Sequence, residues 1–298
     1  MDTDQHARRH SVGVGGVRTS WLEAGEGAPD GPPPLVLLHG GAWGESAGTA
    51  WAGWIPKLPG RRVLAPDWLG FGESDKLRDF IDLQGRMVAV LAGWLDAVGV
   101  TRCDAVGLSM GGANVLRDQG AAPPLLPLRR LVLISAGGAP LTARARARLG
   151  DYDGSLESMR AQVALACADP AVAADDVHVA ERHRTSLLPG AFEVMASLSL
   201  RSPVASPPPP GDPTPYERIG LPVLVVTGDR DELKPPGFAD GVLARLPDAR
   251  HLHVPQAGHC VQLDAPDVLA TAVLAFLDAD TPSAHDDKEH PTVTGHRS

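Results

Sequence analysis

Cysteine is scarce: Cys103, Cys167 and Cys260 are the only three in 298 residues. An odd number without metal-type spacing argues against a disulfide framework and a cysteine-based metal site, and it fits a reducing compartment. Lysine is nearly as rare, at four of the 27 cationic residues, while proline (28) and glycine (33) are plentiful. That bias reads as genomic rather than functional. No apolar run approaches the roughly 18 residues a membrane-spanning helix needs. The opening stretch MDTDQHARRHSVGVGG lacks the apolar core of a signal peptide. Acidic residues outnumber basic ones, 36 to 27, for a net charge of −9. Nucleic acid and anionic membranes are poor partners for such a surface. A soluble, cytoplasmic protein acting on a small molecule is expected.

What the chain does have is alternation. The runs PPLVLLHG (33–40), RRVLAPD (61–67), CDAVGLS (103–109), RRLVLISA (129–136), LPVLVVTGD (221–229) and ARHLHVP (249–255) are short and apolar, and each ends at a small or turn-forming residue. They predict buried parallel strands. Residues 80–98 and 264–278 carry apolar residues at helical spacing, the second with Asp264 as a candidate N-cap and Pro266 in the first turn. The pattern is that of an α/β fold, a mostly parallel central sheet with helices on both faces. Residues 140–215 contain helical patterns but no strand, and close on the proline-rich SPPPPGDPTP. They predict a helical cap with a proline-rich return, inserted between core segments 12–139 and 216–279. Residues 1–11 and 280–298 are polar and aperiodic, and are expected to be disordered tails. The three histidines of the second tail (His285, His290, His296) read as solvated residues, with nothing to order a metal site around them.

The sharpest local feature is GLSMGG (107–112), a G-x-S-x-G at the junction of an apolar strand and a helix. Ser109 on such a turn is a candidate nucleophile. Small neighbours make room for the turn, and the helix N-terminus lends positive potential to an oxyanion formed beside it. A serine hydroxyl needs a base, and the base needs an orienting carboxylate. VTGDRDELKPP (226–236) supplies two acids at a strand end, Asp229 and Asp231, and VPQAGHCVQL (254–263) supplies His259 on the loop after the last strand. All of them fall at the C-terminal edge of the sheet, where open α/β folds bind ligands. His39, before two glycines at a strand end, reads instead as a loop anchor.

With HGGAWG (39–44), PDWLGFGESDK (66–76), GLSMGG, GDRDELKPP (228–236) and AGHCVQLDAPD (257–267) in this order, the chain resembles the α/β-hydrolase superfamily over residues 12–278. The resemblance implies that Asp231, last in G-x-x-D and 28 residues before His259, is the triad acid rather than Asp229. It implies an oxyanion hole from the backbone N–H groups of Gly41 and Met110, and a structural role for Asp67, Gly70, Gly72 and Ser74. No metal or organic cofactor is expected, because the sequence has no ligand cluster or phosphate-binding loop. Trp43, Trp54 and Trp68 are open to two readings, pocket lining or core, with Trp43 taken as substrate-binding.

Within the superfamily the chain is most similar to the meta-cleavage-product hydrolases, which split a C–C bond in vinylogous 1,5-diketones. WAGWIPKLPGRRVLAPDWLGFGESDK, LVLISAGGAP, VAERHRTSLLPGAFEVM and DARHLHVPQAGHCVQLDAPD carry the likeness. It implies that Arg182 binds a substrate carboxylate; the residues alone fit a solvated helix position equally well. Leu108 stands where that family has Asn, Gly53 or Ala52 where it has a second Asn, and Cys260 where it has Trp, and the loop after HGG is longer. Leu108 beside the nucleophile is then a substrate-binding position of altered polarity. A carboxylesterase or enol-lactonase is the alternative enzyme, and a slow or non-catalytic ligand-binding protein the alternative from another class. Oligomeric state is left open, a homo-oligomer included.

Overall fold

Leu35 and Leu37 point to one face of the central sheet and Val36 and Leu38 to the other, and all four are buried. A strand apolar on both faces needs cover on both sides, and this one requirement organises the molecule. In the computed structural model, which describes residues 7–28, 31–197 and 212–279, eight strands form a single sheet. They are β1 (Arg8–Val14), β2 (Val17–Ala24), β3 (Leu35–Leu38), β4 (Val63–Pro66), β5 (Cys103–Leu108), β6 (Leu128–Ile134), β7 (Val223–Gly228) and β8 (Ala249–Val254), in the order β1-β2-β4-β3-β5-β6-β7-β8. β1 and β2 pair antiparallel and β2 meets β4 antiparallel; every later pair is parallel.

Helices α1 (Ala47–Trp51), α2 (Leu83–Ala97) and α3 (Met110–Gln119) follow β3, β4 and β5. Between β6 and β7 lie α4 (Ala143–Gly150), α5 (Leu156–Ala166), α6 (Pro170–Ala174), α7 (Asp176–Ser186) and α8 (Ala191–Ser197). The short α9 (Asp240–Leu243) precedes β8, and α10 (Val261–Asp264) and α11 (Pro266–Asp278) follow it. One sheet face packs on α2, α3 and α9 through Met87, Leu91, Trp94, Val115 and Val242. The other packs on α11 through Val273, Phe276 and Leu277, and its cluster runs on into α5 and α7 through Met159, Val163 and Val179. The inter-strand helices are thus continuous with the core. Among the described residues, no helix is long and apolar enough to cross a membrane.

Two sequence expectations need correction. The polar start does not extend to residue 11, because Arg8–Ser11 pair with Ser20–Glu23 in the β1–β2 hairpin. An edge strand exposed at Arg8–Ser11 on both faces needs no apolar run. Asp264 does not cap α11: that helix begins after Ala265 with Pro266 in its first turn, and Asp264 closes α10. Its carboxylate accepts instead from the backbone N–H groups of Gly258, Ala168 and Asp169 at 2.6–3.0 Å. The second expected tail, 280–298, lies outside the described residues, as do 1–6 and most of the proline-rich return.

Candidate active site

β5 runs straight into Ser109, which sits at φ +49° and ψ −112° at the head of α3. A side chain in this region costs about 1–3 kcal/mol, so surrounding contacts must hold it. They do: the Ser109 N–H donates to the Ile134 carbonyl at 2.9 Å, and its own carbonyl accepts from Ala113 at 2.9 Å. The turn closes only because its neighbours lack side chains. A Cβ on Gly107 would lie 2.5 Å from Gly112 Cα, and one on Gly111 would lie 2.5 Å from the Leu38 carbonyl oxygen. The Ser109 side chain makes no capping bond to its helix.

The loop after β3 lies against this turn. A Cβ on Gly41 would lie 2.6 Å from Met110 Sδ and 3.2 Å from its Cβ, so the Met110 side chain packs directly on the Gly41 backbone. His39, wholly buried, holds the loop: its Nδ1–H donates to the Gly40 carbonyl at 2.7 Å, and Nε2 accepts from the Trp68 N–H at 3.1 Å. Trp68 Nε1 donates back to the His39 carbonyl at 3.0 Å. Burial pushes the His39 imidazole below its usual value, which keeps it neutral in this anchoring role. Asp67 ties the neighbouring loop together, accepting from Ala47 N at 2.7 Å and Glu73 N at 2.8 Å.

On the far side, Asp231 Oδ2 accepts from His259 Nδ1 at 2.9 Å, and Asp231 Oδ1 accepts the N–H groups of Leu233 (2.8 Å) and Lys234 (3.1 Å). Burial alone would raise this carboxyl. The facing His259 and the donated hydrogen bonds outweigh it and leave Asp231 below its ordinary value. Asp229 is occupied elsewhere, taking the Gln256 N–H at 2.6 Å in a loop turn. With Nδ1 committed to Asp231, Nε2 is the unprotonated nitrogen of a neutral His259 ring. Among the described residues no hydrogen bond joins His259 to Ser109; the two are brought together as walls of one cavity. Catalytic pairs are often open until substrate binds.

That cavity holds about 200 Å³. Gly41, Ser109, Met110 and His259 line it, and Leu149 and Leu233 form part of its apolar wall. Cys260 also lines it. The hydrogen bond with Cys167 and burial push the Cys260 thiol upward, leaving it a passive small side chain.

The three side chains expected to bind substrate are placed otherwise. Leu108 is fully buried on β5 and belongs to the core under the sheet. Trp43 lies outside the cavity lining: Nε1 donates to the Leu149 carbonyl at 2.8 Å, and the ring packs on Tyr152 and Phe192 at 4.9 and 5.2 Å. Trp54 and Trp68 are core residues, 1% and 3% exposed. Arg182 is neither solvated nor in the cavity lining. It is 2% exposed, with Nε donating to the Trp43 carbonyl at 3.0 Å and Nη2 lying 3.8 Å from Glu45 Oε1. Its neighbour Arg184 is the half-exposed one, paired to Glu73 and Glu181.

Two participants have no motif to announce them. Ser135, fully buried after β6 at φ +51°, donates its hydroxyl to the His259 carbonyl at 2.9 Å. Glu45 brings a carboxylate into the cavity wall from the lengthened loop. The unusual length of that loop was the one available signal.

The fold and this strand-end cluster define a hydrolase class. The chain belongs to the alpha/beta hydrolase family, whose model matches residues 35–272, and it is an α/β-fold serine hydrolase. It is 32% identical to a 2-hydroxymuconate semialdehyde hydrolase of Pseudomonas putida, over 88% of this chain and 91% of that protein. It is 30% identical to a 2-hydroxy-6-oxo-6-(2'-aminophenyl)hexa-2,4-dienoic acid hydrolase of Metapseudomonas resinovorans, over 89% of each. Among solved structures it superposes on 2-hydroxy-6-oxo-6-phenylhexa-2,4-dienoate hydrolase from Rhodococcus sp. strain RHA1 with a TM-score of 0.75. That pair shares 25% identity over 92% of this chain and 99% of the other.

Proposed function

We propose that the chain hydrolyses a C–C bond in a small vinylogous diketone acid, with Ser109 as nucleophile, His259 as base and Asp231 as the residue that orients it. The observation that carries this reading is the shared cavity wall of Ser109 and His259, with Asp231 hydrogen-bonded behind the histidine. The names of the relatives supply the substrate class.

His259 Nε2 takes the proton of Ser109 as the oxygen attacks the ketone carbonyl, and Asp231 holds the imidazole in the tautomer that can accept it. The developing oxyanion is received by the N–H groups of Gly41 and Met110, donors already fixed by loop and helix. The substrate binds as the dienol and is first ketonised, losing its hydroxyl proton and gaining one at the carbon beside the reacting ketone. On C–C cleavage the electron pair is delocalised through the conjugated double bond onto the new keto oxygen, and the departing fragment takes the proton from His259. Water then resolves the acyl-enzyme. Helices α4–α8 act as the cap that closes the cavity, and the protein works in the cytoplasm.

The decisive assay is the loss of dienolate absorbance when the protein meets a 2-hydroxy-6-oxohexa-2,4-dienoate. Rapid decay that vanishes in Ser109→Ala supports the reading. No decay, with Ser109 still labelled by a fluorophosphonate, overturns it in favour of a carboxylesterase or enol-lactonase. The largely apolar cavity lining is the observation that favours that second reading.

A further inference from the structure

Glu45 is the polar group of the cavity that the reaction above leaves unused. Its side chain is 5% exposed, yet it lines the same space as Ser109 and His259. A carboxylate has about four acceptor sites, and burying them without donors is costly. Among the described residues, Oε2 has one long bond, from the Ala42 N–H at 3.3 Å. Oε1 has no hydrogen bond; its nearest cation, Arg182 Nη2, stands 3.8 Å away, beyond hydrogen-bonding reach. The loop leaves it little room to turn away. A Cβ on Gly40 would lie 2.4 Å from Oε2, and Gly44, at φ +67°, presses on the backbone of Arg182, where a Cβ would lie 2.0 Å from the carbonyl oxygen.

An acceptor held in a catalytic cavity with its capacity unspent selects for a donor on the ligand. We infer that Glu45 is a specificity-determining residue, and that it receives a hydroxyl hydrogen of the substrate. Arg182 explains the choice of hydroxyl over ammonium. A guanidinium 3.8 Å behind the carboxylate already offsets its charge, so a second cation is disfavoured while a neutral donor is not. The same offset lets an anionic group of the ligand sit nearby. Within the proposed reaction, on which this inference rests, the hydroxyl is that of the dienol acid.

The test uses nitrophenyl esters, which Ser109 cleaves under either reading of the reaction, so failure of the C–C assignment does not mask the result. The ω-hydroxy, ω-amino and ω-methyl alkanoyl esters of three to six carbons are compared by kcat/KM in the wild type, Glu45→Gln and Glu45→Asp. A hydrogen bond to a charged acceptor is worth about 1.5–3 kcal/mol. At best chain length the wild type is therefore expected to prefer hydroxyl over methyl by about tenfold or more. Glu45→Gln is expected to lose most of that ratio, and Glu45→Asp to move the optimum one methylene longer. Fluorophosphonate labelling of Ser109 shows that each variant is folded. A wild type without hydroxyl preference, a ratio unchanged in Glu45→Gln, or a preference for the ammonium ester overturns the assignment. Turnover of the dienolate, read separately, then bears only on the C–C reading.

Discussion

The hydroxyl of Ser135 donates to the carbonyl oxygen of His259 at 2.9 Å, across 124 residues of sequence. Ser135 is itself held at φ +51° where β6 ends, its N–H bonded to the Val226 carbonyl at 3.0 Å. One bond thus joins the strand beside β5 and Ser109 to the loop that carries His259, the proposed base. Its loss removes an anchor, not a reacting group. Ser135→Gly, which tolerates the backbone conformation but lacks the hydroxyl, is expected to lower kcat about three- to tenfold with KM nearly unchanged. Steady-state kinetics beside a thermal melt check this, since a purely structural role would move Tm alone.

The loop is positioned by shape as well. A Cβ on Gly228 would stand 2.2 Å from the Ala257 carbonyl oxygen and 2.5 Å from that of Gly258. Gly228→Ala must push the His259 loop outward, and misplacement by about an ångström can cost about 100-fold in rate. The expected signature is a loss of activity and of fluorophosphonate labelling in a protein that still melts cooperatively.

Asp231 and Asp229 stand two residues apart and do different work. Asp231→Asn forces the wrong histidine tautomer and is expected to cut kcat by about 10⁴, the scale known for triad carboxamides. Asp229→Asn weakens one turn bond, to Gln256, and should leave kcat within about threefold. Equal effects of the two would remove Asp231 from the proposed triad.

Removing Arg182 tests its placement. Arg182→Met keeps bulk but leaves Glu45 without its cation and Trp43 without its donor. Breaking a buried pair costs about 3–5 kcal/mol. The variant should therefore melt lower and lose rate on esters that carry no carboxylate. A rate loss confined to carboxylate-bearing substrates, at unchanged Tm, would restore Arg182 as a direct clamp.

His39 gives a pH dependence whose sign follows from burial. Its folded pKa lies below the ordinary 6.5, so the unfolded chain binds the extra proton first. Stability from this residue is full above pH 6.5 and declines as pH falls from there towards the lowered folded value. His39→Gln should melt lower at pH 8 but show a flatter Tm between pH 7 and 5. Parallel slopes in the two proteins would contradict a neutral anchoring histidine.

Much of this was legible in the linear chain. Six parallel strands could be placed, most of them because they are buried on both faces, and a run such as CDAVGL has no other use for so many adjacent small and apolar residues. β8, half exposed, was placed by its turn-bounded branched residues. The Ser109 turn was legible because its G-x-S-x-G pattern stands at a strand–helix junction. The glycine at 107 is demanded by Gly112 close by in the chain, whereas the one at 111 is demanded by the Leu38 and His39 carbonyls, brought near only by the sheet. The β1–β2 hairpin was not, since its exposed side needs no apolar code. Nor was the fate of Leu108, Trp43 and Arg182. Which side of a strand faces a cavity, and whether a long side chain reaches it, depends on helices packed from elsewhere in the chain. Ser135 and Glu45 are the clearest cases. Each is a common residue in an ordinary stretch, and each gains its role from a partner brought near only by the folded sheet. Most strands, several turns and the order of Ser109, Asp231 and His259 can be read along the chain, because local sterics and burial set them. The tertiary structure alone decided which of them share the cavity and what else faces it, because distance in space is set by packing.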